Sequence, residues 1–417
     1  MRNRIILLAA ALLLIPGCRK AGMEERSLST LPLSFGLGSL QRQVSTKSLA
    51  DYESVEDLST YTDGIGVYAA YLPEDKSFPG DGSNKPQAMI NNRQVIRDDK
   101  TTALSAAGVS AQADTRLWYC YPAAYWPYAG KLSLFAYAPY RETPDADSLM
   151  VTTAYSANGW PSLKFTVHPH AKKQLDLLAG CALDKTATSG SYRDVHGSVD
   201  LDMKHQLTWI DFRARAASDM NADAFNNWVA SNFAGKTTQI GIASILLEGL
   251  LDCRTGHFSA SGFSWDDTPS DDKYSASYLL SWENGDFKPM ATSHLTIGDD
   301  LTYIPLLVGD GDGLKKQTAR LYLMPQELRT SATATIEYGI FTLEGETYVP
   351  QLLYQTQFHI GNLTDSGGNR VNYTWEAGHH IVYNMVLNMS EVSNSTVTAT
   401  IYDWETEATY EHDNYLE

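Results

Sequence analysis

The sequence predicts an all-β protein of the β-sandwich kind. Apolar residues recur at every second position in many short runs, the period of a strand with one buried face. Gly, Pro and Asp collect between those runs, where turns need them. The chain has 417 residues, 43% of them hydrophobic and 19% charged. At about 150 residues per domain this predicts two domains with sizeable cores.

The chain opens MRNRIILLAAALLLIPGCRKAG. Arg2 and Arg4 form a basic n-region ahead of an apolar run at 5–15, too short to span a bilayer. The run ends in Pro16-Gly17-Cys18, which resembles a bacterial lipobox. Residues 1–17 are therefore expected to be a lipoprotein signal peptide, with Cys18 the acylated residue. An ordinary secretion signal with an incidental Cys is the alternative. No later stretch reaches the roughly 18 apolar residues of a membrane span.

Residues 31–37 read LPLSFGL. Leu31, Leu33, Phe35 and Leu37 alternate with Pro32, Ser34 and Gly36, so a strand is expected. Arg42 follows in a polar context. Either the strand is the first of the fold, or it is a segment to be cut off.

Further strands are expected at 64–71, at 132–138 after the turn Pro127-Tyr128-Ala129-Gly130, and at 175–179. Residues 199–215 alternate with a slip at Trp209-Ile210, which predicts a bulge or a kink. The best helix lies at 218–233, capped by Ser218 or Asp219 and ended by Gly235. It places a domain boundary at 217/218. Later strands are expected at 240–247, 301–308, 319–324, 332–343 and 347–359. Two strong alternations close the chain, at 379–389 and at 396–402. An acidic tail follows.

Chemistry is scarce. The formal net charge of -17 argues against nucleic-acid partners, which need a basic footprint. Gly309-Asp310-Gly311-Asp312-Gly313 lacks the later acidic ligand of a calcium loop and reads as a hairpin turn. His379-His380 would point to opposite faces of a strand, and His168-Pro169-His170 has no third ligand. Cys120, Cys181 and Cys253 show no metal or disulfide spacing, although export would permit one bridge. No Gly-x-Ser-x-Gly elbow and no paired carboxylates mark catalysis, so neither an enzyme, a cofactor nor a metal is expected. Nine Trp and 24 Tyr read as core and cross-strand pairs rather than a sugar platform.

Residues 118–140, WYCYPAAYWPYAGKLSLFAYAPY, are similar to the aromatic-Trp-Pro turn and following strand of the fimbrillin (Mfa-like) family. Asp63-Gly64-Ile65-Gly66-Val67-Tyr68, Leu175-Asp176-Leu177-Leu178, Met324-Pro325-Gln326, Trp375-Glu376-Ala377-Gly378 and Ile401-Tyr402-Asp403-Trp404 resemble family stretches in the same order. The resemblance implies two transthyretin-like β-sandwich domains, at 43–217 and 218–417, after a propeptide at 18–42. It implies an outer-membrane lipoprotein precursor, palmitoylated, that becomes part of a cell-surface fimbrium for adhesion. An Arg-specific protease would cut after Arg42 and release the strand of Leu31, Leu33, Phe35 and Leu37. The C-terminal strand of another pilin subunit, self or related, would fill the groove by strand addition. Val397, Ala399 and Ile401, with Trp404 beyond, have a donor's alternation. A shaft or tip subunit is expected. A lipid-retained anchor and a surface glycan-binding lipoprotein are the alternatives, and host or bacterial surface receptors are possible partners.

Overall fold

The computed structural model describes residues 28–37, 64–80, 85–97, 117–142, 150–152, 159–187, 191–192, 195–217, 222–266, 269–286, 304–305, 307–308, 317–318, 320–388 and 395–403. Cys18, Arg42, Trp404 and the Gly309–Gly313 loop lie outside these residues.

Among the described residues a single α-helix is present and strands dominate. The largest sheet has eight, in the order Ser198–Asp200, Ser34–Gly36, Trp118–Tyr121, Gln87–Arg97, Ile65–Leu72, Lys131–Ala138, Leu178–Lys185, Lys204–His205. Successive side chains of a strand face opposite ways. At the Ile65–Leu72 strand of this sheet both faces are covered. Val67 and Ala69 belong to one apolar cluster, while Tyr68 and Ala70 belong to a second. That explains why the stretch Ile65–Leu72 is apolar almost throughout instead of alternating with polar residues.

A five-stranded sheet carries the end of the chain. Thr208–Ala216 pairs in parallel with His379–Leu387, which pairs antiparallel with Thr396–Asp403. Arg320–Leu323 and Ile304–Pro305 pair with the other side of Thr208–Ala216. Two four-stranded sheets complete the main framework. One is ordered Ala276–Ser281, Thr238–Leu250, Thr333–Glu344, Thr347–Phe358. The other is ordered Gly262–Trp265, Cys253–Ser259, Ser162–Thr166, Met150–Thr152. Pairing runs across positions 217/218 in both directions, as in Cys253 with Thr166 and Trp209 with His380.

The bulge expected at Trp209-Ile210 is absent. Trp209, Ile210, Asp211 and Phe212 meet His380, Ile381, Val382 and Tyr383 in unbroken register. Ile210, Phe212 and Ala214 face the core. Trp209 stands on the other face, where its ring stacks on His380 at 3.8 Å between centroids. An aromatic on the polar face had the look of a phase slip.

The helix runs Ala222–Asn232. Gly235 follows it at a φ of 75°, the left-handed conformation that ends helices and that glycine adopts without strain. Among the described residues no helix is long and apolar enough to cross a membrane.

Candidate functional site

The strand expected at 31–37 is present, but in two pieces. Leu28–Pro32 pairs with Tyr125–Pro127, and Ser34–Gly36 pairs with Trp118–Tyr121. The break falls at Leu33, after a proline that has no N–H to give. The Leu33 N–H instead donates to the Ala124 carbonyl at 2.8 Å.

Ser34–Gly36 lies between two neighbours. It runs antiparallel to Trp118–Tyr121 on one side and parallel to Ser198–Asp200 on the other. Ser198–Asp200 stands at the end of the sheet. The Leu201 N–H continues this seam, donating to the Gly36 carbonyl at 2.8 Å.

Leu33, Phe35 and Leu37 are 0% exposed, inside the cluster that holds Val67, Val95, Trp118, Cys120, Trp126 and Val199. Leu31 is half-buried against the same cluster. The opposite face is closed as well, with Ser34 buried and Gly36 buried. Five consecutive residues, 33–37, are thus buried in an order of large and small side chains.

Gly197 ties this strand to the aromatic turn. Its carbonyl accepts from the Trp126 Nε1–H at 2.7 Å, and from the Ser34 backbone N–H at 3.4 Å. Its φ is 79°, and a Cβ there would stand 2.7 Å from the Leu31 side chain. Only glycine suits both the conformation and the space.

Cys120 lies in the same core. Burial pushes its thiol up to about 12, against a smaller opposing pull from Arg93. Cys120, Cys181 and Cys253 are all free thiols.

The other expected element, the donor strand, lies in a different sheet. Thr396–Asp403 is the last strand of its sheet and pairs with His379–Leu387. Val397 and Ala399 are half-buried against the larger core, and Ile401 is 36% exposed. The carbonyl of Ala399 accepts from the Asn372 side chain at 2.8 Å.

The histidines are occupied structurally. His379 lies 3.6 Å from Glu376, whereas His380 is buried with its Nε2 at 3.1 Å from Asp211. The rings of His168 and His170 lie 5.2 Å apart. Among the described residues no three His, Cys, Asp or Glu side chains are grouped to hold a metal ion.

Sequence reasoning found the apolar face of the first strand. It put 199–215 in one alternating run, where the structure has strands at Ser198–Asp200, Lys204–His205 and Thr208–Ala216. It also missed that Ser198–Asp200 and Gly197 lie beside residues 34–36, with Gly197 163 positions from Ser34. The positive φ of Gly197 has no separate mark in the sequence.

A family model described as Fimbrillin-like matches residues 61–404. Among solved structures, the chain resembles a fimbrial protein from Bacteroides vulgatus at 17% identity and a TM-score of 0.54, covering 89% of this chain and 99% of that one. It also matches the tip fimbrial protein Mfa3 from Porphyromonas gingivalis at 10% identity and a TM-score of 0.33, covering 90% of this chain and 99% of that one. No curated protein sequence matches. With the family model spanning most of its length, the chain belongs to the Fimbrillin-like family, and its role is that of a structural, non-enzymatic component of cell-surface fimbriae.

Proposed function

We propose that this chain is a pilin that joins fimbriae by protease-triggered donor-strand exchange. In this reading the precursor is exported and acylated at Cys18 in the outer membrane. An Arg-specific protease cuts after Arg42, and the strand carrying Leu31, Leu33, Phe35 and Leu37 leaves. Another subunit then inserts its C-terminal strand. The chain's own strand, with Val397, Ala399, Ile401 and the following Trp404, goes to a neighbouring pilin subunit. Two transthyretin-like domains carry this function, with Thr208–Ala216 assigned to the second of them because all its partner strands come later in the chain, and adhesion to surface receptors is the outcome.

The observation that carries this reading is the placement of residues 33–37. They form a fully buried strand with hydrogen-bonded neighbours on both sides. Each apolar side chain of this size contributes about 1.5–3 kcal/mol on burial. Loss of Leu33, Phe35 and Leu37 therefore leaves a groove on the order of 5–9 kcal/mol less stable, an upper bound. Backbone groups of Trp118–Tyr121 would stand unpaired beside it, and a vacated edge recruits another strand. The last strand is the natural donor, since it has a strand neighbour on one side only and is half-exposed.

The test is intact mass with N-terminal sequencing, before and after mild treatment with an Arg-specific protease, beside an unboiled gel. A product that starts at Gln43 and runs as an SDS-resistant ladder supports the reading. Residues 18–42 remaining attached to a monomer overturn it.

A further inference from the structure

We infer that the seat of residues 33–37 selects for a strand with bulky apolar residues at alternate positions and Ser, Gly or Ala between them. It rejects this chain's own strand 396–403, so the donor that enters is a chain of different sequence. This rests on the strand-exchange reading above.

The demand comes from burial on both faces. On one face the seat holds Leu33, Phe35 and Leu37, all fully enclosed. Phe35 lies between Val199 and Trp118 in register, each of them buried. On the other face the seat holds only Ser34 and Gly36, also buried. Side chains larger than these have to displace packed neighbours, and smaller ones in the Phe35 position leave a cavity.

The chain's own last strand fails in every register. With Val397, Ala399 and Ile401 in place of Leu33, Phe35 and Leu37, an alanine meets the phenylalanine site, and Thr398 and Thr400 meet the places of Ser34 and Gly36. The central mismatch is the same if the strand enters reversed. A shift of two residues onward puts Asp403 in the seat of Leu37. A shift of two residues back puts Ser395 in the seat of Leu33 and Ala399 in that of Leu37. A shift of one puts threonines on the apolar face. Every five-residue window that starts at 399 or later, up to residue 417, holds at least one Asp or Glu. A carboxylate without a partner is not tolerated in a seat closed on both faces.

A Phe-to-Ala mismatch in a packed core corresponds to a loss of about 100-fold or more in affinity. The selectivity is thus large enough to decide which subunits follow one another.

The test cuts the full-length protein with a trypsin-like Arg-specific protease in the presence of one fluorescein-labelled peptide. One peptide has the sequence of residues 28–38, the other that of residues 395–403. The expected result is stable retention of the first through gel filtration, with the second weaker by about 100-fold or more. Equal retention of the two overturns the inference. If neither is retained, the exchange reading itself fails, and the selectivity is then decided in the uncut chain. There the graft L33V/S34T/F35A/G36T/L37I and the single variants F35A and F35L are compared by thermal melting. The graft and F35A are expected to melt well below F35L. Should the graft not fold, the two single variants carry the comparison. Equal melting of F35A, F35L and the unsubstituted protein overturns the inference.

Discussion

The strand within residues 33–37 and the last described strand both alternate, in opposite circumstances. Residues 33–37 are enclosed on both faces and flanked by strands on both sides. Residues 396–403 lie at a sheet's end, with Ile401 36% exposed. Alternation alone describes a strand. It does not tell an inserted plug from an edge that can peel away. The two differ in how many neighbours must be broken to remove them, and in how much apolar surface their departure uncovers.

Several measurements would break or sharpen this contrast. The largest effect is expected on removing residues 28–37. Loss of the three enclosed side chains amounts to on the order of 5–9 kcal/mol, enough to consume most of the stability of a typical domain. Dye binding to newly exposed apolar surface should rise sharply. Removal of residues 396–403 should leave the dye signal much lower. If the two truncations behave alike, the contrast fails.

Phe35→Ala in the uncut chain is expected to cost about 3–5 kcal/mol, read from denaturant unfolding. Ile401→Ala, at a partly exposed edge, should cost no more than about 1 kcal/mol.

Gly197→Ala ranks next. It forces a residue with a Cβ to a φ of 79° and presses on Leu31. The expected loss is about 1–3 kcal/mol. It should loosen the first strand specifically, so hydrogen exchange at Leu33 and Leu201 ought to speed up before the rest of the sheet does.

The smallest change in stability, though a clear chemical readout, belongs to Cys120. In the intact chain its thiol is buried and held protonated up to about 12. Alkylation at neutral pH should be negligible there, because the thiolate is the nucleophile. The sign follows from the raised value. Only as the pH climbs past the ordinary thiol range would an unfolded chain release a proton that the folded one retains, so this group lowers stability at high pH and not at neutral pH. Once residues 28–42 are gone, the thiol should label at a measurable rate, while Cys181 and Cys253 change little. Peptide mapping would resolve the three.

Particular residues show where sequence reasoning reached and where it stopped. The alternation of Leu33, Phe35 and Leu37 announced a buried face, and those side chains are buried. The closed second face was foreshadowed only by Ser34 and Gly36 being small, and small residues also suit turns. Trp209 misled in the other direction. An apolar ring invites placement in the core, yet stacking on His380 holds it on the polar face without any bulge. The helix expected at 218–233, from a cap at Ser218 or Asp219 and an end at Gly235, runs Ala222–Asn232 among the described residues, with 218–221 outside them. Its position as a boundary in sequence does not coincide with a break in pairing, because Ser162–Thr166 and Thr208–Ala216 both pair with later strands.

By itself the sequence determined the β class, the apolar face of most strands and the charge that argues against nucleic-acid partners. These depend on period-two alternation, turn residues and composition, which are local or additive properties. Only the tertiary structure decided which strands are neighbours. It set Ser198–Asp200 in parallel beside residues 34–36, broke the first strand at Leu33, and left Thr396–Asp403 at an edge. Pairing partners far apart in the chain are chosen by how whole sheets close over shared cores, and a single strand's pattern is compatible with many such neighbours.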